Sequence, residues 1–363
     1  MVIKVNTAVP YGIVIERGAL DKIGPVVGTM FKGGTKVMVI SDTNVYPRYG
    51  RRVLDSLEGT GFSPAHFVFP AGEEQKNMDT IMEMYKALAE KQFSRSDLII
   101  ALGGGVVGDM AGFAAATYLR GIDYIQVPTS LLAQVDSSVG GKTGVDLAYG
   151  KNLVGAFHQP RAVITDPDVL KTLPREYFID GMGEVVKYGC IADKQLFEDL
   201  ESGAAVKNID ETIFKCVDCK RRLVEEDALD TGRRMILNFG HTFGHALEKL
   251  HDFKGLSHGR AVAIGMCIAT KMSESLHLTA DGTYQRLWML LKKLGLPIED
   301  NFSLEEVVDA TMLDKKSAGK FINLIFISEI GTAFVHQAER NYLILRYKIL
   351  EEKQARNGKS TVQ

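Results

Sequence analysis

Along the first half of the chain, short apolar runs alternate with stretches whose apolar residues recur at helical spacing. The runs Lys36–Ile40, His66–Phe69, Leu98–Leu102, Asp123–Val127 and Ala162–Thr165 have the length and continuity of buried strands. Between them, Met78–Lys91 carries the three-and-four spacing of an amphipathic helix. Strands that alternate with helices predict an α/β domain with a mainly parallel sheet covered by helices on both faces. The opening residues add an antiparallel hairpin, with Tyr11-Gly12 between two alternating runs. Leu98–Leu119 is the longest weakly polar stretch. It holds five glycines and Asp109, so it reads as strand, loop and helix rather than a membrane span.

The pattern changes near Pro174. From there to about Met312 almost every segment is helical in spacing, as in Glu211–Glu226, Met235–Leu250 and Arg260–Leu276. A domain boundary is therefore expected between Leu170 and Asp180. Residues 1–174 form the α/β domain, 175–350 a mainly helical one, and the charged stretch 351–363 a frayed tail. A late strand pair, Phe321–Ile327 and Thr332–Val335, flanks Gly331. In such an open sheet, ligands are expected at the carboxyl ends of the strands, in the cleft facing the partner domain.

Composition narrows the choice of function. Lys and Arg total 43 and Asp and Glu 45, a net charge of -2. That excludes a strongly basic nucleic-acid binder and an acidic disordered chain. Four cysteines in 363 residues make no disulfide framework and point to a reducing cytoplasm. Cys216-Val-Asp-Cys219, with no second pair to complete a zinc site, reads as structural. Glycine is the departure, with 36 residues against roughly 7% in an average protein, and its clusters mark where backbone approaches a ligand.

The sequence Leu98-Ile-Ile-Ala-Leu-Gly103-Gly104-Gly105-Val-Val-Gly108-Asp109 runs from strand through glycines into helix. Such a turn lets backbone amides and a helix N-terminus meet a phosphate, although it is neither the dinucleotide fingerprint nor a P-loop. Other strand ends match it: Ser41-Asp42-Thr43-Asn44, the loop Ala71–Lys76, and Pro128-Thr129-Ser130. Together they suggest one nucleotide site built from several loops. Val139-Gly-Gly-Lys142-Thr-Gly144 lacks the first P-loop glycine, which leaves Lys142 as an anion-binding lysine rather than part of an ATP site.

In Asn238-Phe-Gly-His241-Thr-Phe-Gly-His245-Ala-Leu-Glu248, positions 238, 241, 245 and 248 share one face of a helix. His258 follows, and Glu184 and Lys187 share a face of an earlier helix. This concentration of histidine and glutamate suggests a zinc-type site. Local spacing offers His241 and His245 as ligands, or one as a ligand and the other as an acid–base group.

These motifs together resemble the 3-dehydroquinate synthases, within the sugar-phosphate cyclases. The stretches that carry the resemblance are Gly103–Asp109, Pro128–Gly144, Gly150–Pro160, Glu184-Val-Val-Lys187-Tyr-Gly, Asn238–Ala246, His258-Gly and Asp314-Lys315-Lys316, in family order across most of the chain. The resemblance implies an NAD-binding α/β domain followed by an α-helical metal-binding domain, in a homodimer. It implies Glu184, His241 and His258 as ligands of a zinc or cobalt ion, which moves His245 from ligand to a catalytic group beside the substrate. Lys142, Lys187, Lys220, Arg234 and Asn238 match the other catalytic positions. Arg120, Asp136, Asn152 and a lysine of the pair Lys315 and Lys316 match substrate contacts. The NAD site is matched by Asp42, by Ala71, Gly72, Glu73, Glu74, Gln75 and Lys76, and by Gly105, Val106, Val107, Gly108 and Asp109. Thr129, Ser130, Lys142, Lys151, Val169, Leu170, Lys171 and Thr172 complete it. Gly181-Met182-Gly183 departs from the family, which commonly has an apolar residue and alanine there.

The implied reaction converts 3-deoxy-D-arabino-heptulosonate 7-phosphate to 3-dehydroquinate and phosphate, a step of the shikimate pathway, with NAD reduced and reoxidised within each turnover. The implied partner is a phosphorylated sugar acid, not a nucleic acid or a membrane. The alternatives are a related sugar-phosphate cyclase and a metal-dependent polyol dehydrogenase of the glycerol dehydrogenase type.

Overall fold

The structure is a computed structural model that describes residues 1–312 and 321–339. Asp314, Lys315, Lys316 and the tail 351–363 lie outside the described residues. The chain divides into two compact units. The first is Met1–Phe178 with Asn208–Asp230, and the second is Ile179–Lys207 with the described residues from Thr231 onward.

In the first unit the elements run β1 (Val2–Val5), β2 (Tyr11–Ile15), α1 (Ile23–Gly28), β3 (Lys36–Asp42), α2 (Tyr46–Glu58), β4 (Ser63–Phe69), α3 (Met78–Glu90), β5 (Leu98–Gly103), α4 (Gly105–Thr117), β6 (Asp123–Pro128), β7 (Lys142–Leu147), β8 (Gly150–Phe157) and β9 (Ala162–Thr165). The main sheet has the order β1-β2-β9-β6-β5-β3-β4. Every neighbouring pair in it is parallel except β1 with β2. The strand runs lack polar alternation because both faces are covered. On β3, Val37 and Val39 pack with Ile23, Val27, Val53 and Leu57 of α1 and α2. The intervening Met38 and Ile40 pack with Ile81 and Met84 of α3 and Met110 of α4.

The amino-terminal hairpin forms with Ile3 opposite Ile13. Tyr11-Gly12 begins its second strand rather than making the turn, which falls in residues 6–10. The antiparallel pair β7–β8 was not foreseen; glycines and polar residues break up its apolar pattern.

The remaining helices are α5 (Arg175–Ile191), α6 (Lys194–Ser202), α7 (Ala204–Lys207), α8 (Ile209–Glu226), α9 (His241–Leu250), α10 (His258–Ser275), α11 (Thr283–Leu294) and α12 (Leu304–Met312). The strands β10 (Phe321–Glu329) and β11 (Thr332–Glu339) pair antiparallel, as the sequence predicts around Gly331.

Two sequence expectations change here. Helix α8 groups with the first unit, whereas a boundary near residue 174 assigns it to the second. It is tied there by Arg17, which meets Asp210 at 2.6 and 2.8 Å, and by the Asn6 amide, which donates to Glu225 at 2.6 Å. Helical spacing shows that a face is apolar and not which domain that face covers. Second, Met235–Leu250 is not one helix. Residues Arg233–Asn238 make a tight 3-10 turn, Gly240 takes φ +80°, and α9 begins only at His241. A side chain at Gly240 would meet the Val262 carbonyl at 2.6 Å, so this break needs glycine twice over.

Candidate active site

In the first unit, four neighbouring strands end beside one another: β6, β5, β3 and β4. The loops that leave them are the ones picked out by sequence. β5 stops at Gly103 and α4 starts at Gly105, with Gly104 extended between them and no side chain capping the helix. The first-turn amides of a 13-residue helix are thus presented at the sheet's carboxyl edge. The Thr129 amide donates to the Gly103 carbonyl at 2.9 Å, joining the loop after β6 to the glycine turn. Ser41 donates to the Leu102 carbonyl at 2.7 Å. Asp42 accepts from the Asn44 and Val45 amides at 2.8 and 2.9 Å, which shapes the loop after β3. A glycine turn, an uncapped helix start and adjacent polar strand ends suit a dinucleotide phosphate.

The loop after β4 delivers Lys76. Its ammonium is buried and donates to Asp109 Oδ2 and Asn152 Oδ1, both at 2.7 Å. Burial pushes the Asp109 carboxyl above its usual range, against the pull of Lys76. Burial also works against the Lys76 charge, but Asp109 and Glu73 outweigh it and hold that ammonium protonated. Lys151 lies 3.7 Å from Glu73. Asp146, which sequence reasoning missed, accepts the Asn152 amide at 2.6 Å and fixes that residue at φ +53°. Its own amide donates to the Lys76 carbonyl at 2.8 Å.

Lys220 on α8 meets Asp136 Oδ1 at 2.6 Å and the Asp136 carbonyl at 2.7 Å. Lys142 opens β7 and is paired with Asp230, which sequence reasoning did not single out. Val169, Leu170, Lys171 and Thr172 form a 3-10 turn after β9, where the Tyr49 hydroxyl donates to the Val169 carbonyl at 3.2 Å. Arg120 is not brought to the glycine turn. It lies exposed beyond the carboxyl end of α4, a helix length of about 20 Å from Gly105 at 1.5 Å per residue.

In the second unit, α5 presents Glu184 and Lys187 one turn apart and both are buried. Glu184 Oε1 lies 3.6 Å from His241 Nε2 and 3.4 Å from His258 Nε2, and Lys187 is paired with Glu184 Oε2. Ligand atoms of Glu184, His241 and His258 all fall within 4.8 Å of one another. Two imidazoles and a carboxylate gathered this closely suit a zinc-like divalent ion. Burial, then the charge of Lys187, lowers the His241 pKa to about 3, so this ring is neutral and ready to ligate. Burial alone would lower His258 too, but bonds to Glu184 and Glu248 push it up to about 10. An ion bound there must displace that proton.

His245 is exposed on the next turn of α9, its ring centroid 5.4 Å from that of His241. It belongs to a second close group with Glu248 and His258. The spacing that paired His241 with His245 therefore describes one edge of a larger cluster. Glu248, on the face marked out by sequence, lies 3.5 Å from His258 Nδ1 and can orient that ring. Asn238 and the buried Arg234 sit in the turn before α9, so Asn238 does not share the helix face expected of it. Asp180, four residues before Glu184, was also missed; it accepts from Ser257 at 2.5 Å and from the Arg260 amide at 3.1 Å.

The sequence profile of the 3-dehydroquinate synthase N-terminal domain matches residues 66–180, and that of the C-terminal domain residues 181–317. A 3-dehydroquinate synthase from Clostridium acetobutylicum is 48% identical over 334 residues, covering 91% of this chain and 94% of the relative. Among solved structures, 2-deoxy-scyllo-inosose synthase complexed with carbaglucose-6-phosphate, NAD+ and Co2+ is 25% identical with a TM-score of 0.81, covering 96% of this chain and 99% of its own. The 2-epi-5-epi-valiolone synthase from Streptomyces hygroscopicus, with NAD+ and Zn2+ bound, shares the fold at 24% identity and a TM-score of 0.84, covering 97% and 99%. With both domain profiles matched in order over most of its length, the chain belongs to the 3-dehydroquinate synthase family.

Proposed function

We propose that this chain is a phosphate-eliminating lyase that converts 3-deoxy-D-arabino-heptulosonate 7-phosphate to 3-dehydroquinate in the shikimate pathway. It would use NAD and a divalent zinc or cobalt ion. Family membership supports the reaction. The observation that carries it at the level of residues is the company of the metal donor set: Lys187 and Arg234, both 1% exposed, lie in the same unit as Glu184, His241 and His258. Lys187 is paired with Glu184, and a substrate with two anionic ends would draw on such cations where a neutral polyol would not.

The nucleotide would be held by Asp42, the Ala71–Lys76 loop, the Gly105–Asp109 turn, Thr129, Ser130, Lys151 and the Val169–Thr172 turn, and the ion by Glu184, His241 and His258. When bound, NAD supplies a hydride acceptor that is restored within the turnover, and the ion supplies polarisation of a substrate hydroxyl. The chain's own part is positional and acid–base. Lys187, Arg234 and Lys142 would bind the substrate's anionic ends, with Arg as a fork and Lys as a point charge. Asp136, held by Lys220, and Asn152, held by Lys76 and Asp146, would accept from and donate to its hydroxyls. His245, beside the metal group and open to solvent, would carry a proton to or from the departing phosphate. Arg120 and the pair Lys315 and Lys316 are proposed substrate contacts on the resemblance alone. So is the working form, a homodimer. A cytoplasmic setting is supported by four free cysteines.

The test supplies the heptulosonate phosphate, NAD and zinc, and follows phosphate release together with absorbance at the NADH band, with and without chelator. Phosphate release without net NADH, lost on chelation, is the expected result. Stoichiometric NADH from a simple polyol, with no phosphate released from the sugar acid, would overturn the reading in favour of a dehydrogenase.

A further inference from the structure

We propose that Asp180 is a positioning residue that fixes the metal ligand His258 by capping the start of α10 from a different helix; the inference rests on reading Glu184, His241 and His258 as the metal group. His258 is the first residue of α10, and the residue before it, Ser257, makes no side-chain cap of its own. Ser257 instead turns its hydroxyl to Asp180 Oδ1 at 2.5 Å, and the same oxygen accepts the Arg260 amide at 3.1 Å. That amide is one of the first-turn donors a helix cannot satisfy internally. A carboxylate at this end also meets the favourable end of the helix dipole.

The two helices touch backbone to backbone. A Cβ built on Gly259 would stand 1.9 Å from the Asp180 carbonyl oxygen, and one on Gly183 would stand 2.5 Å from the Gly259 carbonyl oxygen. Glycine at both positions is what admits the contact, and it gives the Gly183 departure from the family pattern a structural reason. Asp180 and Glu184 lie one turn apart on α5, so a single helix face both supplies a ligand and anchors the helix that supplies another. The 3.4 Å approach of His258 Nε2 to Glu184 Oε1 is in this way set through the backbone, before the rotamer of His258 is chosen.

The experiment titrates the full chain with Co2+ and follows the visible absorption of the bound ion in the parent, Asp180→Ala, Asp180→Asn and Ser257→Ala. Asp180→Ala is expected to bind Co2+ about tenfold or more weakly, in the range of lost supporting contacts at metal sites, with an altered absorption band and unchanged NAD affinity. Asp180→Asn keeps an oxygen that can accept both bonds and is expected to stay within about threefold of the parent. An Asp180→Ala protein with the parent's affinity and band overturns the proposal, as does an Asp180→Asn protein impaired to the same degree. If Asp180→Ala does not fold by circular dichroism, Ser257→Ala decides: a severalfold weakening supports the cap, and parental affinity overturns it. Failure of the parent to take up Co2+ would overturn the metal reading itself, and this inference with it.

Discussion

Replacing Lys76 by Met keeps the length of the side chain and removes its charge, so it isolates what the ammonium does for Asp109. In the parent the ammonium is buried, 2.7 Å from both Asp109 and Asn152. Breaking a buried ion pair by removing one partner costs about 3–5 kcal/mol, because the other charge stays behind. The Asp109 side chain retains 20% of its exposure, and water relieves part of that charge, so about 2–4 kcal/mol is expected. The pH dependence has a definite sign. Burial already raises Asp109 above the ordinary carboxylate range, and Lys76 opposes the rise. Without Lys76 the folded-state pKa climbs further above the unfolded one. The variant's stability is then fully present below the unfolded value and lost as pH rises through the folded value. Its deficit against the parent must widen as pH rises above the unfolded carboxylate range. Amide hydrogen exchange of peptides covering α3, α4 and β7–β8 is the assay of choice, since the single tryptophan, Trp288, lies on α11 in the second unit. A deficit below about 1 kcal/mol that is flat with pH would refute the account of Lys76 as the group that opposes the rise at Asp109. Asp109→Asn in the Lys76→Met background should recover most of the loss, as a double-mutant cycle requires of a coupled pair.

Lys187→Ala should lower turnover by about a hundredfold or more while leaving NAD affinity near the parent's; a fall in NAD affinity alone, read by nucleotide titration, would remove Lys187 from the substrate site. Glu248→Ala, which strips the carboxylate 3.5 Å from His258 Nδ1, should weaken Co2+ binding by about 10–100-fold, checked by competition with a chelating dye, and unchanged binding would show that the ring is oriented by other groups. Gly259→Ala places a methyl group 1.9 Å from the Asp180 carbonyl oxygen and should cost about 1–3 kcal/mol as an overpacked contact. Trp288 fluorescence during denaturation reports that loss in the right unit, and a parental midpoint would mean that the helices part without strain.

The candidate nucleotide loops of the first unit were legible because their information is local. Continuous apolar runs such as Leu98–Leu102 announce strands buried on both faces, and the glycines that follow at 103 to 105 sit where the chain must turn into a helix. The β7–β8 hairpin was not legible, since Gly144, Gly150 and Gly155 break its apolar pattern and its pairing is set by register rather than by propensity. The support of Asn152 by Asp146 lay hidden with it.

The candidate metal group of the second unit shows why spacing alone misleads. Within Asn238–Glu248 the sequence offers an uninterrupted helical face, and an i, i+4 histidine pair is the natural choice of ligands on it. The left-handed Gly240 ends that face after Asn238, and α9 then turns His241 toward Glu184 while leaving His245 in solvent. Glu184 lies 57 positions before His241, and only packing brings the two together; no periodicity within either helix encodes the distance. The resemblance to a family names Glu184, His241 and His258 as one set because it carries tertiary information that a local window lacks. It did not reach Asp180, whose bond to Ser257 spans 77 positions. A residue of that kind works by holding a ligand's backbone rather than by touching an ion, so its signature is geometric: an acceptor placed one turn before a ligand, opposite a glycine that follows the next ligand. Gly259 after His258 and Asp180 before Glu184 make up that pattern here, and it is a pattern that can be sought wherever two helices that carry candidate metal ligands cross at glycine.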